Sequence, residues 1–264
     1  MAVLEIENLT FAYRNYPPVF AGLSLRTDET VGLIGANGAG KSTLLKILVG
    51  LEQGYSGSVR VGGREARGNG LAEIRKRTGY VFQDSDSQLF LRTVGEDVAF
   101  GPRNQGRPDW ERVAAEALRR AGLDGLENRN VYQLSGGEKK LAAIAGVLAM
   151  GAETLLLDEP SAALDPANRE RLIEILNALP GVKLIASHDL DFIYDTCARV
   201  VLLSRGKIAG DGPAETILRD KALLEANGLR LPLSFRFSDF IPPSPKGKED
   251  GGKGSIPNDS FTHT

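Results

Sequence analysis

Residues 35–43 read Gly-Ala-Asn-Gly-Ala-Gly-Lys-Ser-Thr, and that order of residue types suits one task, the wrapping of a chain of phosphates. It matches G-x-x-x-x-G-K-[ST]. Gly35, Gly38 and Gly40 let the backbone turn tightly, so that the N–H groups of the loop, Ala36, Asn37 and Ala39 included, point inward at phosphate oxygens. Lys41 is placed to reach the β- and γ-phosphates of a nucleotide, and the Ser42 hydroxyl to ligate Mg²⁺. Thr43 continues into an apolar helix whose N-terminal dipole also favours an anion.

A second group lies far downstream. Thr154-Leu-Leu-Leu-Asp158-Glu159 is an apolar strand that ends in two acids. A buried strand of this kind delivers Asp158 to the carboxyl edge of a parallel sheet, where α/β proteins bind their ligands. There Asp158 can hold Mg²⁺ opposite Ser42, and Glu159 can polarise the water that attacks a γ-phosphate. His188 follows another apolar strand, Ile185-Ala-Ser-His188. Alone it reads as a helix cap or a buried histidine; beside the phosphate loop and the acid pair it becomes a candidate γ-phosphate sensor. Gln83, after Tyr80-Val-Phe, reads by itself as a surface residue at a strand end.

The elements that must position these groups alternate between two periods. Leu4–Leu9, Val31–Ile34, Tyr80–Phe82, Thr154–Asp158, Val182–Ser187 and Val200–Ser204 read as strands, several of them apolar throughout, as expected when both faces are covered. Lys41–Val49, Trp110–Ala121, Gly136–Met150 and Pro166–Leu179 read as helices, with Asp165 at the N-cap of the last and Pro166 at its first position. Strand–helix alternation predicts a mainly parallel sheet with helices packed on it. The first sixty or so residues are rich in strands and turns, which predicts an antiparallel sheet laid against the main one. Residues 84–130 read as a helical insert with breaks at Gly101-Pro102 and Arg107-Pro108, running on to a helical subdomain over about 84–150. After Pro242 the chain becomes Pro-, Gly-, Ser- and Lys-rich, and 242–264 is expected to be a disordered tail behind an extension at 231–241.

Bulk properties narrow the classes. With 42% hydrophobic residues, 25% charged residues and a net charge of −2, the chain has the composition of a globular domain and no basic excess that would point to nucleic acid. Its one cysteine, Cys197, excludes an internal disulfide, fits a cytoplasmic location and reads as a small apolar filler. The N-terminus, MAVLEIENLT, has neither the basic start nor the apolar run of a signal peptide. No apolar stretch reaches the roughly 18–20 residues needed to span a bilayer, and Leu141–Met150 reads as a buried helix.

Leu134-Ser135-Gly136-Gly137-Glu138 stands about twenty residues before the acid pair. With it, the chain resembles the ABC-type ATPases over roughly residues 3–230. The family's elements follow in order: the phosphate loop, Gln83, this signature, Asp158-Glu159, Ser161-Ala-Ala-Leu-Asp165 and His188. The resemblance implies a P-loop cassette with a RecA-like parallel-sheet core, an N-terminal antiparallel β subdomain and an inserted helical subdomain, the ATPase domain covering 1–230. It implies ATP and Mg²⁺, with Gln83 joining Ser42 and Asp158 around the metal and Tyr13 stacking on adenine. Ser135, Gly136 and Gly137 form a second anion-binding helix end, which in this family meets the ATP of a second cassette, taken as a copy of the same chain, with Asp165 at the interface. Glu138 stands where Gln is more usual and Leu141 where many relatives carry Arg. Lys41, Ser42, Asp158, Glu159 and His188 are all in place, so an active ATPase is expected.

Within the family, Gly79-Tyr-Val-Phe-Gln83-Asp-Ser-Asp-Ser-Gln88-Leu-Phe90 and Thr93-Val-Gly-Glu-Asp97 through Pro102 are similar to the energy-coupling factor group. The segments Leu134–Met150 and Leu224–Pro232 are similar to its cobalt and nickel members. That implies a peripheral subunit on the cytoplasmic face of the membrane, working with a transmembrane coupling subunit and a substrate-binding membrane subunit. The ion would be bound by those partners, since the chain has two histidines and one, His263, is in the tail. Vitamin import is the alternative cargo. Chromosome- and repair-type ABC ATPases carry long insertions where fewer than a hundred residues separate Lys41 from Ser135, and translation-type factors carry two cassettes where one phosphate loop is present. A non-enzymatic switch fits poorly with Glu159.

Overall fold

The structure, a computed structural model, describes residues 3–236; the tail expected over 242–264 and the end of the 231–241 extension lie outside these. In chain order, β1 (Leu4–Ala12), β2 (Pro18–Thr27) and β3 (Thr30–Ile34) lead to α1 (Lys41–Leu48), and β4 (Ser56–Val61), β5 (Arg64–Glu65) and α2 (Gly70–Arg77) to β6 (Thr78–Val81). The helices α3 (Val94–Asn104), α4 (Trp110–Arg120) and α5 (Gly136–Ala149) come next. Then β7 (Thr154–Asp158), α6 (Pro166–Ala178), β8 (Val182–Ala186), α7 (Leu190–Thr196), β9 (Arg199–Ser204) and β10 (Lys207–Pro213) complete the core. The short helices α8 (Ala214–Arg219), α9 (Lys221–Ala226) and α10 (Leu233–Arg236) follow.

Two sheets result. One is antiparallel, in the order β2-β1-β4-β5; the other runs β10-β9-β3-β8-β7-β6 and is parallel except for β10. Alternate residues of the parallel strands enter opposite layers, as the two-residue period of a strand demands. Leu33, Leu156, Leu184 and Val201 pack with α1 and the antiparallel sheet. Ile34, Leu155, Leu157, Ile185 and Leu202 pack with α6, α7 and α8. Both layers are apolar, so these strands show no alternation in sequence.

The helical insert has its own core, built from Val94, Val98, Leu118, Val131 and the apolar side of α5. Helix α5 belongs to two cores at once, since Ile144 and Val147 face the main sheet while Leu141, Ala142, Ala145 and Ala149 face α3 and α4. At Gly79 a Cβ would lie 2.1 Å from Val147 Cγ1, so the glycine is what lets α5 lie down on β6.

One sequence expectation is corrected here. Gly101-Pro102 does not break the insert; both lie within α3. Pro102 removes a single backbone donor near the helix C-terminus and is buried, and a Cβ on Gly101 would come within 2.5 Å of Met150 Cγ. The pair is packing chemistry, not a turn. The break falls at Arg107-Pro108, between α3 and α4. Residues 231–236 dock back on α7, where the Asp191 carboxylate accepts the Leu233 and Ser234 N–H groups at 2.8 and 3.0 Å. Among the described residues no helix is long and apolar enough to cross a membrane.

Candidate functional site

The phosphate loop leaves the end of β3 and is wedged from behind. Gly40, at φ 101°, is the N-cap of α1, and a Cβ there would strike the Phe20 ring of β2 at 2.8 Å; only glycine satisfies both demands. Lys41 is 8% exposed, and its Nζ donates to the Gly35 carbonyl at 2.7 Å. Burial pulls this ammonium below its ordinary pKa, against the opposing pull of Glu159 and Asp158. Ala36 turns the loop by accepting the Ala39 N–H.

Across from the loop, β7 delivers Asp158, which is 2% exposed. The Ser42 hydroxyl donates to Asp158 Oδ1 at 3.0 Å, and the Tyr80 hydroxyl reaches Oδ2 at 3.5 Å. Burial pushes the Asp158 carboxyl up, and Glu159 adds to that; the Ser42 hydrogen bond, Lys46 and Lys41 act in the opposite sense. Burial first, then Asp158, pushes the Tyr80 phenol up as well. Two oxygens from Ser42 and Asp158, well short of six ligands, fit a Mg²⁺ completed by water and nucleotide phosphates.

Glu159 turns off the strand in the left-handed region, at φ 48°. This is uncommon for a residue with a Cβ and costs about 1–3 kcal/mol. Its N–H is fixed on the Ala186 carbonyl at 2.8 Å. Oε2 takes two hydrogen bonds, from the Ser187 hydroxyl at 3.1 Å and the His188 N–H at 3.2 Å, and His188 Nδ1 lies 2.8 Å away. The His188 side chain is otherwise 68% exposed.

These groups surround a cavity of about 490 Å³ lined by Asn37 to Thr43, Tyr13, Val19, Gln83 and Glu159. The Tyr13 hydroxyl lies 3.2 Å from Thr43 Oγ1 and donates to Glu52 Oε1 at 3.3 Å, so the ring at the cavity edge is tethered to the end of the phosphate loop. The signature residues do not line this cavity. Ser135 caps α5, its Oγ accepting the Glu138 N–H at 3.2 Å while Glu138 Oε2 accepts the Ser135 N–H at 2.7 Å. Glu138 thus serves as the second half of a capping box and also pairs with Arg129 at 3.4 Å. Leu141 is buried in the helical core.

Asp165 caps α6, accepting the Asn168 N–H at 2.9 Å, and that bond holds its carboxyl below the usual range. The loop before it, with Ala163 at φ 67°, covers the start of α5: a Cβ on Gly137 would lie 3.3 Å from the Ala163 carbonyl. Ser135, Gly136, Gly137 and Asp165 therefore gather on a second, exposed surface. The structure brings fourteen site residues together, Tyr13, the phosphate loop from Gly35 to Thr43, Gln83, Asp158, Glu159 and His188, and leaves these four apart. Val19, Glu52, Tyr80, Ser187 and Lys140 are additions that reading the sequence did not single out. Of these only Lys140 carried a signal, a second lysine at the head of an otherwise apolar helix.

Known proteins resemble the chain in sequence and in fold. The ABC transporter family model matches residues 21–162. A putative ABC transporter ATP-binding protein of Gloeobacter violaceus is 48% identical over 237 residues, covering 88% of this chain and 97% of that protein. An energy-coupling factor transporter ATP-binding protein of Carboxydothermus hydrogenoformans is 43% identical over 246 residues, 90% of each. The structure of cbiO1 from Clostridium perfringens, described as part of the ABC transporter complex cbiONQ, superposes with a TM-score of 0.74 at 32% identity, over 89% of this chain and 98% of that one. A dimeric ATP-binding cassette in a post-hydrolysis state with ADP and Pi also superposes at 0.74, with 26% identity over 80% and 98% of the two chains. Matched by the family model over more than half of its length and by relatives up to 48% identical over nearly all of theirs, the chain belongs to the ABC transporter family of ATP-binding cassettes and is an ATPase.

Proposed function

We propose that this chain is the motor subunit of an energy-coupling factor importer, in which two cassettes close head to tail over two ATP molecules. The observation that carries the reading is the split between two surfaces: the cavity lined by the phosphate loop, Gln83 and Glu159, and the exposed signature end of α5, which does not reach it. Lys41 and the loop amides, Gly35 to Thr43, hold the phosphates, and Tyr13 stacks on the base. Ser42, Asp158 and Gln83 hold Mg²⁺, which when bound would neutralise phosphate charge. Ser135, Gly136 and Gly137 complete the partner's site, with Asp165 beside them.

Hydrolysis then requires only a base. Glu159 faces the cavity and is poised to take a proton from the attacking water, while His188 and Ser187 hold its Oε2. As His188 turns toward the γ-phosphate, its hold on the carboxylate is exchanged for one on the substrate. Glu159→Gln should lower hydrolysis by at least about a hundredfold and, with ATP and Mg²⁺, give a stable dimer on size-exclusion chromatography. A variant that stays monomeric under those conditions would sink the shared-site model.

The membrane partner's cytoplasmic helix is proposed to dock in a groove of about 590 Å³ between α2 and α3, lined by Ala72, Arg75, Phe100, Gln105 and Met150. Phe90 packs edge-on against Phe100 at 4.9 Å there, and both rings are exposed. Trp110 does not line the groove; Arg103 covers its ring and it packs on the core of the insert. Cobalt or nickel ions are the proposed cargo, supported by the motif wording of Leu134–Met150 and Leu224–Pro232.

A further inference from the structure

The loop that carries Gln83 is tied to α5 by three side chains. Lys140 Nζ donates to the carbonyls of Phe82 and Gln83 at 3.0 and 2.7 Å. Gln88 accepts the Phe82 N–H at 3.0 Å and donates to the carbonyls of Tyr80 and Ala143 at 3.3 and 3.4 Å. Lys139 reaches Asp86 Oδ1 at 2.5 Å, with Asp86 68% exposed.

These ties are unequal. An ion pair with an exposed partner contributes little, and the Gln88 contacts to α5 are neutral and long. Lys140 is different: it is 2% exposed, and its charge is met by two backbone carbonyls at full hydrogen-bond strength. Charged donors make the stronger bonds, and a buried ammonium stripped of its acceptors costs more than the bonds themselves. A lysine enters this interior only if it keeps those two oxygens. Burial draws its pKa down, while Asp158, Asp84 and Glu159 hold it up, so the site also lies in the field of the catalytic carboxylates.

Lys140 stands five residues after Ser135, roughly 7.5 Å along the helix axis. The residue that offers a contact to the partner's nucleotide and the residue that grips the loop of its own nucleotide therefore share one rigid rod. We propose that Lys140 is a positioning residue that locks the Gln83 loop to the signature helix, so that the contacts one cassette makes at both nucleotides shift together. The inference rests on the shared-site reading for its consequence, but the lock itself is present without nucleotide.

Two variants test it. Lys140→Met keeps length and removes the donors; Lys140→Gln removes the charge but keeps N–H donors. Hydrogen exchange of the 82–89 backbone in the nucleotide-free chain should quicken about tenfold in the Met variant, the loss of roughly one net hydrogen bond. Exchange in 154–158 should not change, and the Gln variant, with donors but no charge, should fall between wild type and Met. In turnover assays the Met variant should lose about tenfold in kcat with KM within twofold, and its Hill coefficient for ATP should fall to one; Gln should recover part of each. Unchanged exchange at 82–89 in Lys140→Met overturns the lock. Equal losses in Met and Gln, with lowered melting midpoints, reduce Lys140 to a structural role and overturn it too. A wild-type chain that fails to hydrolyse ATP strikes the functional reading alone, and the exchange experiment then still decides the lock.

Discussion

At the scale of single residues, the site is built from charges held where they are uncomfortable. Asp158 is the clearest case. Burial raises its carboxyl above the ordinary 3.8, so the folded chain binds that proton more tightly than the unfolded one. The stabilising contribution is present below the unfolded pKa and is lost as pH rises through the raised value. Once ionised, the buried carboxylate is a burden on the fold that a cation would relieve. Asp158→Asn keeps an acceptor for the Ser42 hydroxyl and should raise the thermal midpoint of the nucleotide-free chain by about 2–4 °C, while abolishing Mg²⁺-dependent hydrolysis. A lowered midpoint in calorimetry would count against this account. The motif residues were legible in the sequence because each sits in a contiguous run whose backbone does the positioning. Tyr80, Ser187 and Glu52 were not, because each acts through one contact to a residue 30 or more positions away or across a strand end. Nothing in their local wording distinguishes them from packing.

Among the elements, those most readable in sequence are the most buried. β7 matches its expected span, and β3, β8 and β9 differ by a residue, since an apolar run between turn signals has no other stable place than the middle of a covered sheet. β10 was missed: Lys-Ile-Ala-Gly-Asp-Gly-Pro alternates in exposure at a sheet edge, and its glycines read as loop. Gly101-Pro102 misled for a related reason, because turn chemistry and close helix packing use the same residues. Gln83 belongs to this scale, since its loop joins β6 of the main sheet to the insert. Gln83→Ala should leave ATP binding within about twofold while lowering transport in the assembled complex by about tenfold or more, the loss of one specific contact. Normal uptake by that variant would separate Gln83 from coupling.

For the whole molecule, the important property is incompleteness. Two helix ends suit an anion: that of α1 lines the cavity, and that of α5, on the open surface, does not. On the proposed reading, the cargo is decided by the membrane partners. Membranes carrying the assembled importer should take up radiolabelled Co²⁺ or Ni²⁺ in an ATP-dependent manner that Glu159→Gln abolishes; uptake of a vitamin instead would reassign the cargo and leave the motor intact. The buried cysteine has a last consequence. Cys197 is the single thiol of the chain, 4% exposed, and burial pushes it up to about 12, so maleimide dyes will pass it by. The protein is thus a blank canvas for optical labelling: one fluorophore attached through Tyr132→Cys, at a position 79% exposed and three residues before the signature serine, would show in real time when two cassettes meet and part.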